Sequence, residues 1–255
     1  MPGHTAARPT GTALRAGFRA APHVVASEID VAGSACLPSM ITPQWLEHAR
    51  VYAARLAAAG DQEVMIEGLD QSGPGFVGDL ATDARLQYFL EAVAAQTFPS
   101  GHPADRRLDC TIRVINGPDP KDKPLWFHYD ATVLTMVIPV VIPDAGPGRS
   151  GELAIIPNRR PYRRSVTTNV IEKFVVQSDV YRRWFAGRLR HGDNLKVVTL
   201  RPGNAYLFAG YRSYHATLPC PTGSTRVTVV VHYKDVHRGS RVLQSAKALY
   251  RRFNN

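Results

Sequence analysis

The sequence predicts a mainly β chain with flanking helices, an α+β arrangement, and three observations carry that prediction. Apolar residues recur at helical spacing in two segments between Thr42 and Gln96. Beyond Pro103 the pattern changes to short β-rich runs punctuated by Gly and Pro, as in a sandwich or small barrel. A length of 255 residues suits one domain with one well-buried core.

In chain order, residues 1–27 contain no acid and carry Arg8, Arg15 and Arg19, which superficially resembles a transit peptide. They lack an apolar secretory core, and a flexible tail is the expectation. A single domain then spans 28–237, with a helical part at 28–105 and a β part at 106–237. The segment from Thr42 to Gly60 predicts a helix: Thr42 is a capping residue, Pro43 takes the first turn, and Trp45, Ala49, Tyr52 and Leu56 share one face. A second helix is expected from Thr82 to about Gln96, where Leu86, Phe89, Leu90 and Val93 align. The Gly-rich stretch Gly68 to Gly78 between them predicts a loop.

Eight strands are expected near Leu108–Ile115, Leu125–Asp130, Val133–Ile142, Glu152–Ile156, Leu195–Leu200, Ala205–Ala209, Tyr214–Leu218 and Arg226–Tyr233. An insertion at 157–194, with a helix from Ser178 to Leu189, interrupts them after the fourth. Residues 238–255 form a basic C-terminal segment.

Composition narrows the function classes. With 44% hydrophobic and 20% charged residues the chain has the makeup of a soluble globular protein. No apolar run reaches the ~18 residues of a membrane span. Cys36, Cys110 and Cys220 are odd in number and widely spaced, so neither a disulfide framework nor a zinc knuckle is indicated, and a reducing, cytoplasmic compartment is expected. The net charge of +10 gathers in Arg-rich stretches at 159–164, 182–190 and 238–252. These could attract nucleic acid, acidic lipid or an anionic substrate. A solvated basic face is the favoured reading, because no base-stacking platform interleaves them.

The chemistry centres on His128-Tyr129-Asp130. Side chains two apart on a strand project to one face, so an imidazole and a carboxylate converge there. His215, opening a later strand, is the candidate third ligand. Two His and one carboxylate on one side of a metal leave positions open for a cosubstrate and O₂, the facial triad of Fe(II) oxygenases. A His-x-Asp pair alone is weak, and His191-Gly192-Asp193 is a second one. That pair follows a predicted helix, sits in a Gly-Asp-Asn turn and leaves only two strands before His215, so a surface turn is expected. Arg226, eleven residues after His215, shares an inward strand face with Thr228. An inward guanidinium demands an anionic partner, which a dicarboxylate cosubstrate would supply; alternatively Arg226 pairs with a protein carboxylate or caps the strand end at the surface.

Together these segments resemble the Fe(II)- and 2-oxoglutarate-dependent oxygenases of the double-stranded β-helix (jelly-roll, cupin-like) fold. The matching features are HYD at 128–130, GELAIIP at 151–157, PGNAYLFAGYRSYHAT at 202–217 and STRVTVVVHY at 224–233. The resemblance spans Leu108 to Tyr233, with the preceding helices placed to buttress the larger sheet. It implies that His128, Asp130 and His215 bind Fe(II), that Arg226 pairs with the far carboxylate of 2-oxoglutarate, and that Thr228 assists. The implied activity is hydroxylation of a small-molecule C–H bond, of an amino acid or natural-product type, with release of succinate and CO₂. Asp130 stands where halogenases of the family carry a small residue. Nucleic-acid demethylases of the family often place a second Arg six residues after the first, where this chain has His232, which disfavours a nucleic-acid substrate.

Further candidates have open alternatives. Arg113 is a candidate for a substrate carboxylate, or an exterior basic residue. Asn116 is a candidate for the cosubstrate's keto-acid end, or a turn residue in Asn116-Gly117-Pro118. Trp126 shares a face with His128 and is a candidate pocket wall, or a core Trp. Tyr211, Arg212 and Tyr214 flank the distal ligand and are candidates for substrate contact. The partner is expected to be a small molecule, an anionic one being compatible with Arg113, with no membrane. The competing classes are an oxygenase acting on nucleic acid or protein, and a non-redox metal-binding barrel.

Overall fold

The structure, a computed structural model, describes residues 12–59, 63–98, 107–117, 126–161 and 194–236. The elements in order are α1 (Pro22–Ala32), β1 (Ala35–Leu37), α2 (Pro43–Ala57), β2 (Glu63–Leu69), α3 (Gly75–Thr82) and α4 (Ala84–Thr97). They continue as β3 (Leu108–Asn116), β4 (Thr132–Val141), β5 (Leu153–Ile156), β6 (Lys196–Val198), β7 (Ala205–Phe208), β8 (Tyr214–Thr217) and β9 (Thr225–Asp235). No helix among the described residues is long and apolar enough to cross a membrane.

The strands form a six-stranded sheet in the order β1-β7-β4-β9-β3-β2 and a three-stranded sheet in the order β6-β5-β8, with every pairing antiparallel. Alternation along the central strands sorts their side chains between two environments. In β9, Val227, Val229, Val231 and Tyr233 enter the core beneath the helices, while Arg226, Thr228, Val230 and His232 line a cavity on the opposite face. In β4, Leu134, Met136 and Ile138 take the helix side, and Thr135 and Val137 take the cavity side. Val137, Leu153, Ile155, Tyr206 and Phe208 make a smaller core between the sheets.

Pro139 lies inside β4, where it cannot donate to a ladder, and the pairing with β9 slips between Pro139 and Val141. The bulge leaves the Val140 carbonyl to the Arg50 side chain of α2. The helix layer is tied to the sheet again at Glu91 of α4, which accepts from the Tyr233 hydroxyl and pairs with the buried Lys234 ammonium at 2.9 Å.

Helix α2 starts as the sequence predicts, with Thr42 accepting the Trp45 N–H at 3.2 Å and Pro43 in the first turn. The expected helix from Thr82 is α4, capped by Asp83. Four expectations change. Residues 12–27 are not a loose tail: Ala13 and Leu14 are fully buried, Leu14 bridges Ile41, and α1 begins at Pro22, because Leu14, Phe18 and Val25 supply apolar surface for the core. Gly68–Gly78 is not wholly loop, since β2 runs to Leu69 and α3 starts at Gly75, burying Phe76, Val77 and Leu80. Where a strand was expected over Leu125–Asp130, the described part, 126–130, makes only a single bridge, at His128. Strands β1 and β2 add to the expected set. Residues 1–11, the second His-x-Asp pair, the 178–189 helix and the basic segment 238–255 lie outside the described residues.

Candidate active site

His128 lies on the short segment that pairs with β8 as a fourth strand position of the smaller sheet. Its N–H donates to the His215 carbonyl at 2.9 Å, and the His215 N–H donates back at 3.0 Å. This reciprocal bond sets the two imidazoles side by side, with ring centres 4.3 Å apart. Asp130, two residues on, projects to the same face. Its carboxylate lies 3.6 Å from His128 Nε2 and 3.4 Å from His215 Nε2, and the three ligand atoms fall within 4.8 Å of one another. It is the described cluster of His, Cys, Asp and Glu able to hold a metal ion.

The surroundings set the chemical state of each donor. His128 Nδ1 lies 3.1 Å from the Trp126 carbonyl and His215 Nδ1 lies 3.0 Å from the Ser213 carbonyl. A carbonyl can only accept, so both Nδ1 atoms carry the proton and both Nε2 lone pairs face the gap. Desolvation, with His215 beside it, pushes His128 down to about 4, so it is neutral near pH 7. Burial opposes ionisation of Asp130, but His215, His232, His128 and the Thr135 hydroxyl outweigh it and hold the carboxyl well below the usual carboxylate range. Two imidazole Nε2 atoms and a carboxylate are the donor set of an Fe(II) facial triad, and the residues fit that ion.

Two contacts hold Asp130 in place. The Thr135 hydroxyl donates to its Oδ2, and its own N–H donates to the Gly210 carbonyl at 3.1 Å. Gly210 is required by close approach, since a Cβ there would lie 2.7 Å from Asp130 Oδ2 and closer still to Thr135 Oγ1.

The triad opens into a cavity of about 390 Å³ between the sheets. In the same cavity Arg226, only 3% exposed, donates through Nε to the Gly151 carbonyl at 2.8 Å and lies 3.3 Å from the Thr228 hydroxyl. Gly151 has φ +67°, and a Cβ there would sit 2.6 Å from Arg226 Nε, so glycine is what lets the guanidinium lie flat on that backbone. Arg113 also lines the cavity, with its guanidinium held by Glu63 at 2.6 Å and by the Thr217 hydroxyl at 3.1 Å. Trp126 lines the mouth and is 36% exposed, a wall residue and not a core Trp.

Three sequence candidates are placed elsewhere. Asn116 spends its amide on the Ala57 carbonyl and the Thr225 hydroxyl, away from the cavity. Tyr214 is fully buried and stacks on Phe127, because strand alternation turns it to the face opposite His215. Tyr211 is 1% exposed and packs against the Arg160 guanidinium, not into the cavity. Sequence reasoning missed Thr135, Gly210 and Glu63. Only Thr135 carried a signal, as a polar residue within the apolar run of β4.

The sequence matches no family model and no curated protein. In three dimensions it is similar to a prolyl-4-hydroxylase of Pseudomonas putida, at 11% identity and TM-score 0.52, over 84% of this chain and 98% of that one. It is similar to the epimerase SnoN of nogalamycin biosynthesis in complex with Fe³⁺, α-ketoglutarate and nogalamycin RO, at 16% identity and TM-score 0.56, over 84% and 83% of the two chains. HygX of Streptomyces hygroscopicus, with nickel and 2-oxoglutarate bound, matches at 14% identity and TM-score 0.54, over 85% and 88%. Identities this low establish a shared fold, the double-stranded β-helix with helices on its larger sheet.

Proposed function

We propose that this chain, which has the fold of the 2-oxoglutarate and iron oxygenases, is itself an Fe(II)- and 2-oxoglutarate-dependent oxygenase that oxidises a C–H bond of a small molecule, releasing succinate and CO₂. The observation that carries the reading is the meeting of the His128, Asp130 and His215 donors with a buried Arg226 in one cavity. A generic metal barrel has no use for the guanidinium, whereas a dicarboxylate cosubstrate in the same cavity would supply the anion it calls for.

In this reading His128 Nε2, His215 Nε2 and Asp130 hold the iron. Arg226 receives the distal carboxylate through a two-pronged contact that Lys cannot reproduce, and Thr228 holds the Arg226 guanidinium in orientation. When bound, iron and 2-oxoglutarate supply the oxidising equivalent from O₂. The chain contributes position, a dry wall and a mouth bordered by Trp126. An anionic substrate is not required, because the charge of Arg113 is already met by Glu63.

The test is anaerobic native mass spectrometry with Fe(II) and 2-oxoglutarate, followed by a metabolite screen for O₂-dependent succinate release. Arg226→Gln should keep its iron and lose 2-oxoglutarate affinity by roughly thirtyfold to several thousandfold, from ~2–5 kcal/mol for a buried ionic contact truncated on one side. Unchanged 2-oxoglutarate affinity in that variant sinks the cosubstrate assignment.

A further inference from the structure

Beside the proposed metal donors, the rings next to each of them in sequence form a column, of which Tyr129 also borders the cavity. Phe127 stacks on Tyr214 with centres 5.1 Å apart, and Tyr214 meets Tyr129 at 4.8 Å. Strand alternation contributes: with His128 and His215 facing the cavity, the neighbouring Phe127 and Tyr214 turn to the opposite, buried side of the sheet, where Tyr214 meets Tyr129. The column continues through a cation. Arg160, 7% exposed, places its guanidinium 4.0 Å from the ring centre of Tyr129 and 4.1 Å from that of Tyr211.

Arg160 also grips the backbone that carries the distal ligand. Its Nε donates to the Tyr211 carbonyl, and its N–H donates to the Arg212 carbonyl at 3.2 Å. The turn it grips, 209–213, supplies the Gly210 carbonyl that accepts from Asp130 and the Ser213 carbonyl that orients His215. Tyr129, on the other side of the guanidinium, is the residue between His128 and Asp130. Arg160 therefore touches both segments that bring the three donors together, although it comes from neither.

We propose that Arg160 is a positioning residue of the metal centre: a buried cation clamped between Tyr129 and Tyr211 that holds the 128–130 segment and the 209–213 turn at the spacing the chelate needs. The inference rests on the proposed metal site. A guanidinium suits this task because it is planar and weakly hydrated, so it stacks on two aromatic faces at once. A Lys ammonium is a hydrated point charge and does not. A cation between rings is held more strongly once water is excluded, and little water reaches a side chain this buried.

The test uses the full chain and Mn(II) alone, followed by electron paramagnetic resonance of the free ion, with urea unfolding of the metal-free protein measured beside it. Arg160→Met, which keeps the length and fills the space without a charge, should weaken Mn(II) binding about tenfold or more. Arg160→Lys should recover only part of the loss. Tyr129→Leu, which removes one face of the clamp from the other side, should reproduce the loss, while Tyr129→Phe, which keeps the ring, should bind near wild type. Thr42→Ala, far from the site, serves to show that a similar loss of folding stability leaves Mn(II) affinity alone. If wild type binds Mn(II) and His215→Ala does not, yet Arg160→Met and Tyr129→Leu bind as tightly as wild type, the clamp is refuted and the metal site stands. If His215→Ala binds as wild type does, the metal-site reading falls and takes the clamp with it.

Discussion

Replacing Gly210 by Ala adds a single methyl group at the most crowded point of the site. The new Cβ would lie 2.1 Å from Thr135 Oγ1 and 2.7 Å from Asp130 Oδ2, against about 3.4 Å for ordinary contact, so the Thr135 hydroxyl has to retreat by about 1.3 Å and the carboxylate oxygen by about 0.7 Å, or the turn itself has to move. Either movement disturbs a ligand, because the turn also carries the Ser213 carbonyl that orients His215. Metal sites tolerate displacements of only about 0.2 Å in ligand distance. Overpacking of this kind costs ~1–3 kcal/mol, and every ~1.4 kcal/mol that falls on the metal-bound state is a factor of ten. Gly210→Ala should thus bind Fe(II) or Mn(II) roughly ten- to hundredfold more weakly while remaining folded. The assay is an anaerobic metal titration beside a urea melt of the metal-free protein. Wild-type metal affinity in Gly210→Ala would refute the argument that this glycine exists to admit Asp130 and Thr135.

Three further outcomes are expected. Gly151→Ala combines a left-handed backbone with a clash against Arg226 Nε, so it should raise the Kd for 2-oxoglutarate tenfold or more and leave metal affinity unchanged; equal loss of both ligands would contradict it. Thr135→Val keeps the shape but removes the hydroxyl that donates to Asp130, and should weaken metal binding about tenfold or more, read by the same titration, with no effect if Asp130 is not a ligand. Thr42→Ala removes the cap on Trp45 N–H and should cost about 1 kcal/mol in urea unfolding with metal and 2-oxoglutarate affinities unaltered.

What was legible in the sequence follows from which physical signals are local. Strands β4 and β9 stand out because both faces are buried, leaving long apolar runs between turn residues. Strand β2 is an edge strand whose cavity-side positions are Glu63, Met65 and Glu67, so its alternation lacks apolar contrast. Helix α3 contains Gly75 and Gly78 and is helical because Phe76, Val77 and Leu80 pack into the core, a tertiary cause that propensity does not carry. His128 and Asp130 were legible through a period of two, and His215 and Arg226 through their strands. Tyr211 and Tyr214 were misplaced because closeness in sequence to His215 says nothing of facing. Thr135, Gly210 and Glu63 act only through contacts made in three dimensions, with Asp130, with Asp130 and Thr135, and with Arg113.

The reciprocal backbone bonds between His128 and His215 have a consequence for the proposed iron site. Because main-chain pairing brings the two imidazoles together, and carbonyls already hold both rings in the metal-binding tautomer, the chelate is assembled by folding itself. Zinc-finger-like domains couple folding to metal capture and collapse when stripped. In the proposed reading this chain draws its donors together by backbone pairing, so the site does not depend on the ion for its assembly. If the chain binds iron as proposed, chelation should therefore empty the site without melting the fold, and iron added back should restore binding.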